Sequence, residues 1–260
     1  MKPLPLLLAA FLLTSRTAPA AGLLDRLGIS GKTNAVSAAL GALPQDQMVS
    51  GLKEALAKGL SSAVSGLGRD GGFLTNISVK IPVPASMQKV EKAARALKQD
   101  ALVDDFVRVM NGAAEKAVPE AAAVFGDAVK QMSIVDAKSI LSGTNNAATT
   151  YFRRTTETNL YSRFLPIVKK ATDTAGVSSA YKKVLDNAGL SGETGKLITG
   201  FGALTGKQFD PKSLDLDDYV TRKALDGLFT MVADEEKRIR ENPAARTTDL
   251  LKKVFGAAAK

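Results

Sequence analysis

The chain has 260 residues, a net charge of +9, and neither histidine nor cysteine. That absence removes the Ser-His-Asp triad, thiol nucleophiles and nearly every zinc arrangement, all of which need an imidazole or a thiolate. Carboxylates, lysines, tyrosines, hydroxyls and hard, oxygen-bound cations remain, in a chain whose 45% hydrophobic and 23% charged residues describe an ordinary globular protein.

The first residues carry a targeting pattern. Lys2 supplies a positive start, Leu4 to Leu13 an apolar run, and Ala18-Pro19-Ala20 a small-residue cleavage site. They predict a signal peptide over residues 1–20, cleaved near Ala20, and therefore a periplasmic or secreted protein. The run is shorter than the about 20 apolar residues a bilayer span needs, so no integral membrane protein is expected after cleavage. No disulfide can form in that compartment, and at this length a core can do without one.

Residues 21–43 read as an amphipathic arm weakened by glycines, and residues 44–260 as one helical domain. Met48, Leu52, Leu56, Leu60 and Val64 repeat close to every fourth residue and predict a helix after Pro44, ended by Gly66, Gly68 and Gly71-Gly72. Residues 73–84, FLTNISVKIPVP, interrupt the helical pattern. Ile77, Val79 and Ile81 alternate with polar residues, which predicts a short extended clasp near residues 77–83 lying across the helices.

Met87, Val90, Ala94 and Leu97 mark the next helix, and Leu102, Phe106, Val109, Met110 and Ala113 another. Pro119 breaks or kinks the chain. Val124, Phe125, Ala128, Val129 and Met132 continue, and Ser133 caps a short helix that Ser142-Gly143 ends. Residues 145–171 form one long helical pattern with Pro166 inside it, expected to kink. Six glycines between 189 and 209 argue for a loop, each costing about 1 kcal/mol in a helix relative to Ala. Asp210-Pro211 or Asp215 opens the next helix, and Asn242-Pro243 the last. The fold expected is all-α, an irregular multi-helix bundle of about eight to ten helices.

Several stretches carry a resemblance: GLKEAL (51–56), VKIPVP (79–84), DDF (104–106), AEKAVPEA (114–121), YFRRTT (151–156), FLPIVK (164–169), and DLDDYVTRKALDGLF (215–229) through NPAARTTDLLKKVFG (242–256). The sequence resembles the bacterial exported-protein family catalogued as domain of unknown function 4197. The resemblance implies a helical protein of the cell envelope and supplies no catalytic residues.

Gly195-Lys196 and Gly206-Lys207 lack the remaining positions of a phosphate loop. Asp215, Asp217 and Asp218 resemble the start of a calcium loop, but Val220 stands where an EF-hand needs glycine and Asp226 where it needs glutamate. Acidic residues at a helix start, favoured by unpaired N–H groups, explain them better, and they remain only a weak metal candidate. The most site-like group is Tyr151, Arg153, Arg154, Tyr161 and Arg163, with Tyr151, Arg154 and Tyr161 near one helix face. Arginine forks bind phosphate or carboxylate, and tyrosines offer a polar tip on an apolar body. The plainer account pairs Arg153 with Glu157 and puts the aromatics in the core. Arg246, set against the dipole of the last helix, needs an acidic partner or a ligand.

Residues 151–214 carry 10 basic and 5 acidic side chains, whereas residues 215–256 carry 8 and 9. Positive charge is thus concentrated around the arginine cluster. The leading expectation is a non-enzymatic binding or structural protein of the cell envelope that holds an apolar or anionic ligand. Its partner is a lipid or anionic envelope component, with no nucleic acid and no cofactor. Two other readings stand beside it. One is a carboxylate-based hydrolase of envelope polysaccharide, with Glu157 and either Asp217 or Asp218 about 5–9.5 Å apart. The other is a homo-oligomeric scaffold.

Overall fold

The computed structural model describes residues 44–174 and 215–241. The expected leader, the expected 21–43 arm, the expected 189–209 loop and the expected last helix with Arg246 fall outside the described residues. Seven α-helices are described: α1 (Gln45–Leu67), α2 (Gln88–Ala96), α3 (Asp100–Ala117), α4 (Ala121–Gln131), α5 (Ile134–Ser142), α6 (Ala147–Thr174) and α7 (Leu216–Glu241). The protein is all-α, with no strand among the described residues.

The stripe Met48, Leu52, Leu56, Leu60 and Val64 is buried as its spacing predicts. Gly66 does not end α1 but sits inside its last turn, with Gly68 at the C-cap. Pro119 closes α3 through a 3-10 turn, Val118–Glu120, from which α4 starts. Ser133 and Asp136 form a reciprocal capping box at α5: the Asp136 N–H donates to Ser133 Oγ, and the Ser133 N–H donates to Asp136 Oδ2, both at 3.1 Å. The Ser133 hydroxyl, which donates to Asp136 Oδ2 at 2.6 Å, and then the Ser133 N–H hold the Asp136 carboxyl below the usual carboxylate range.

The longest element, α6, runs through Pro166 without ending there. Beside it lies α7, and the cross-helix ties show the two to be antiparallel: Thr172 meets Asp217, Arg153 meets Asp226, and Thr149 meets Glu236. α7 also packs on α1 and α3, while α6 packs on α3, α4 and α5. Where these helices meet, Phe125 sits edge-on to Phe152 and Phe229, at 5.7 and 6.1 Å between ring centroids.

Residues 71–84 cross α3 and α7 as a clasp. Val79, Ile81 and Val83 are buried, but Ile77 is 95% exposed. A turn is the reason: the Val79 and Lys80 N–H groups donate to the Asn76 carbonyl, so strict alternation begins only after it. Leu97 likewise leaves the apolar face that its spacing assigned to it and is 53% exposed. α2 has already stopped at Ala96, and Lys98 turns the chain at φ 58°. That left-handed position is usually glycine, so no sequence signal announced the stop.

Candidate functional site

Asp215 opens α7 as its cap: the Asp218 N–H donates to Asp215 Oδ1 at 2.9 Å, and the Tyr219 N–H to the Asp215 carbonyl at 3.0 Å. The next two carboxylates turn toward α6. Asp217 accepts from the Thr172 hydroxyl at 2.7 Å and faces Lys169 Nζ at 3.8 Å. Asp218 accepts from the Tyr161 phenol at 2.6 Å and from Arg222 Nε at 2.9 Å. The three candidate cation ligands therefore diverge onto three sets of partners. Among the described residues no group of three acidic side chains is placed to hold a metal ion.

Tyr161, Asp218 and Arg222 form one unit. The Arg222 guanidinium lies 5.2 Å from the Tyr161 ring centroid, close enough for cation–π attraction. The Arg222 and Tyr161 hydrogen bonds hold the Asp218 carboxyl below its ordinary range. The same carboxylate, aided by burial, holds the Tyr161 phenol above its ordinary value. Because Asp218 grips Arg222 at Nε, the outer fork of Nη1 and Nη2 takes no second carboxylate among the described residues.

A groove of about 400 Å³ opens between α6 and α7, lined by Glu157, Thr158, Tyr161, Arg222, Leu225 and Asp226. Arg153 sits at its edge. Its Nη1 meets Glu157 Oε1 at 3.0 Å and Asp226 Oδ1 at 3.4 Å, and its guanidinium lies 4.6 Å from the Phe229 ring centroid. The Arg153–Glu157 pair expected from the spacing is present, and a third partner from α7 joins it. Glu157 shares the groove with Tyr161, but Asp226, and neither Asp217 nor Asp218, is the carboxylate that lines it with Glu157.

The other members of the sequence cluster lie elsewhere. Arg154 stacks toward the Tyr151 ring at 5.9 Å, and Tyr151 meets Phe152 edge-on near the start of α5. Burial and the neighbouring Asp136 charge raise the Tyr151 phenol above its ordinary value. Arg163 bonds Asn159 and pairs with Glu120 at 3.6 Å. Of the five described residues, Tyr161 lines the groove, Arg153 pairs with two of its lining carboxylates, and Tyr151, Arg154 and Arg163 do not line it. Sequence reasoning missed Arg222 and Asp226. Arg222 stands four residues after Asp218, a spacing that could have marked the pair. The approach of Asp226 to Arg153 from another helix has no local signal.

The model of the family described as "Protein of unknown function (DUF4197)" matches residues 42–256. No curated protein and no solved structure matches the chain. The chain belongs to the DUF4197 family.

Proposed function

We propose that this is an exported, non-enzymatic binding protein of the cell envelope, and that the groove between α6 and α7 holds an anionic group of its ligand. The observation that carries the reading is the arrangement of Arg222. Asp218 holds it at Nε, its guanidinium lies near the Tyr161 ring, and the residue lines the groove with an outer fork that takes no carboxylate among the described residues. A guanidinium fork matches two oxygens of a phosphate or carboxylate, and fixing it beforehand lowers the ordering cost of binding. The leader pattern of residues 1–20 and the positive excess of residues 151–214 support export and an anionic partner. Asp217, Asp218 and Glu157 are each engaged by a hydroxyl or a cation, so no observation favours the hydrolase reading over the binding one.

Co-sedimentation with vesicles tests the reading. The protein is expected to bind phosphatidylglycerol vesicles, to ignore phosphatidylcholine vesicles, and to bind less as salt rises. Arg222→Ala should weaken that binding at least about tenfold, a loss in the range of a charge-assisted hydrogen bond. Equal binding to both vesicle types, or an unaffected Arg222→Ala variant, would overturn it. Cell fractionation with mass measurement tests export, the expected mature chain starting near Ala21.

A further inference from the structure

A second cavity, of about 420 Å³, is lined by α3 and by the loop that leads into the clasp. Its walls are mostly apolar or small: Leu74, Val109, Gly112, Ala113, Pro119 and Ala171. Into this surface projects Glu115, whose residue is only 8% exposed. One of its oxygens, Oε1, accepts the backbone N–H groups of Phe73 and Leu74 at 2.9 and 3.2 Å. The other, Oε2, accepts no hydrogen bond among the described residues, and Glu115 is one of the residues that line the cavity.

A carboxylate kept in an apolar wall costs free energy unless its charge is met by donors or by a cation. Two neutral amides meet half of Glu115. The nearby cations do not supply the rest: Arg108 pairs with Asp105, and Lys116 is exposed at the rim. Asp70, also at the mouth, adds negative charge. We propose that this cavity binds a small organic cation, a primary ammonium carried on an apolar body. The ammonium donates to Glu115 Oε2, and the body lies on Gly112, Ala113, Pro119 and Ala171. The site is separate from the α6–α7 groove and does not depend on the anion reading.

The probe is n-hexylammonium, with 1-hexanol as its neutral counterpart, and the readout is the backbone amide NMR signals of Phe73 and Leu74. Hexylammonium should shift both signals saturably, and hexanol at equal concentration should not. Glu115→Gln keeps an oxygen that can accept from the two amides but loses the charge. It should fold normally and bind hexylammonium at least tenfold more weakly. Gly112→Leu supplies an independent block, because a Cβ at Gly112 meets nothing within 4 Å and the longer side chain would fill the cavity. It should abolish the shifts with the fold intact. Equal shifts with hexanol, full binding in a folded Glu115→Gln protein, or full binding in Gly112→Leu would each overturn the proposal.

Discussion

Glu236 takes both the N–H and the hydroxyl of Thr149 on one carboxylate oxygen, each at 2.8 Å, across 87 residues of sequence. Its other oxygen accepts the Ala148 N–H at 2.9 Å and the Arg240 guanidinium at 2.8 Å. Arg240 in turn donates to the Ile140 carbonyl at 2.8 Å. One carboxylate thus caps the start of α6, neutralises a cation on its own helix, and ties in the end of α5. A helix start leaves N–H groups unpaired and attracts negative charge, so the placement satisfies both needs together. The carboxylate is well covered, with its side chain 5% exposed.

Glu236→Ala should therefore destabilise the protein by about 3–5 kcal/mol, the range for removing one partner of a buried pair. Urea unfolding checks this, with the fall in midpoint as the readout. The neighbouring Arg238–Glu235 pair, whose arginine is exposed, gives the contrast, since Arg238→Ala should cost under about 1 kcal/mol. Similar losses in the two variants would remove Glu236 from its role as the tie between three helices.

Asn111 plays the corresponding part for the clasp. Its Oδ1 accepts the Ile81 N–H at 2.8 Å, and its Nδ2 donates to the Ile81 carbonyl at 2.9 Å and to the Val107 carbonyl at 2.7 Å. A fully buried carboxamide here does what a neighbouring strand would do elsewhere, pairing both polar groups of one extended residue. Asn111→Ala should cost about 2–4 kcal/mol, since two buried backbone groups lose their partner. Asn111→Asp keeps an acceptor but cannot donate, so it should also destabilise. Hydrogen exchange at Ile81 is the direct measurement, and unchanged protection in Asn111→Ala would refute the assignment.

These two ties show what could be read beforehand. Local signals were legible: the apolar stripe of α1, the Ser133 cap, the Asp215 helix start and the Arg153–Glu157 spacing all depend on residues within a turn of each other. The clasp was legible as an interruption because its prolines and alternation are local too. Its anchors were not. Asn111 and Glu115 stand four apart on α3, but nothing in that spacing says that both face a loop 30 and 42 residues away. Glu236 stands within a dense run of charges, residues 234–240, a pattern that suggests a solvated face, yet it is buried because its partners Ala148 and Thr149 come from a helix distant in sequence. At the groove, Tyr161 was visible as a candidate, whereas the pairing of Asp226 with Arg153 required α7 to be placed antiparallel to α6.

Close packing gives a third test. A Cβ built on Gly227 would lie 2.6 Å from Cε1 of Phe73 and 3.2 Å from Cβ of Val79, so α7 needs a bare backbone where the clasp presses on it. Gly227→Ala should destabilise by about 1–3 kcal/mol through overpacking, although alanine favours a helix more than glycine does. Gly126, inside α4, meets nothing within 4 Å. There the same substitution should stabilise by about 0.5–1 kcal/mol. Thermal unfolding of the two variants should show shifts of opposite sign, and a stabilised Gly227→Ala protein would show that Phe73 does not hold this position.

The Tyr161–Asp218 bond predicts how the site responds to pH. Asp218 is held below its ordinary value of 3.8 by Arg222 and Tyr161. Its contribution to stability is therefore complete above the unfolded value and is lost as pH falls through the lower folded value. Tyr161 is held above its ordinary value of 10.0, chiefly by the same bond, so its contribution is complete below 10.0 and is lost as pH rises through the folded value. Asp218→Asn removes the charge that does both. The Tyr161 titration midpoint, followed by NMR at the phenol carbon, should fall in this variant. Tyr151 is held up chiefly by burial and Tyr219 by burial alone, so both should keep their midpoints. The acid-side slope of stability against pH should flatten in the same variant, because an amide has no proton to take up. A Tyr161 midpoint that stays in place after Asp218→Asn would mean that burial, rather than the carboxylate, sets the phenol.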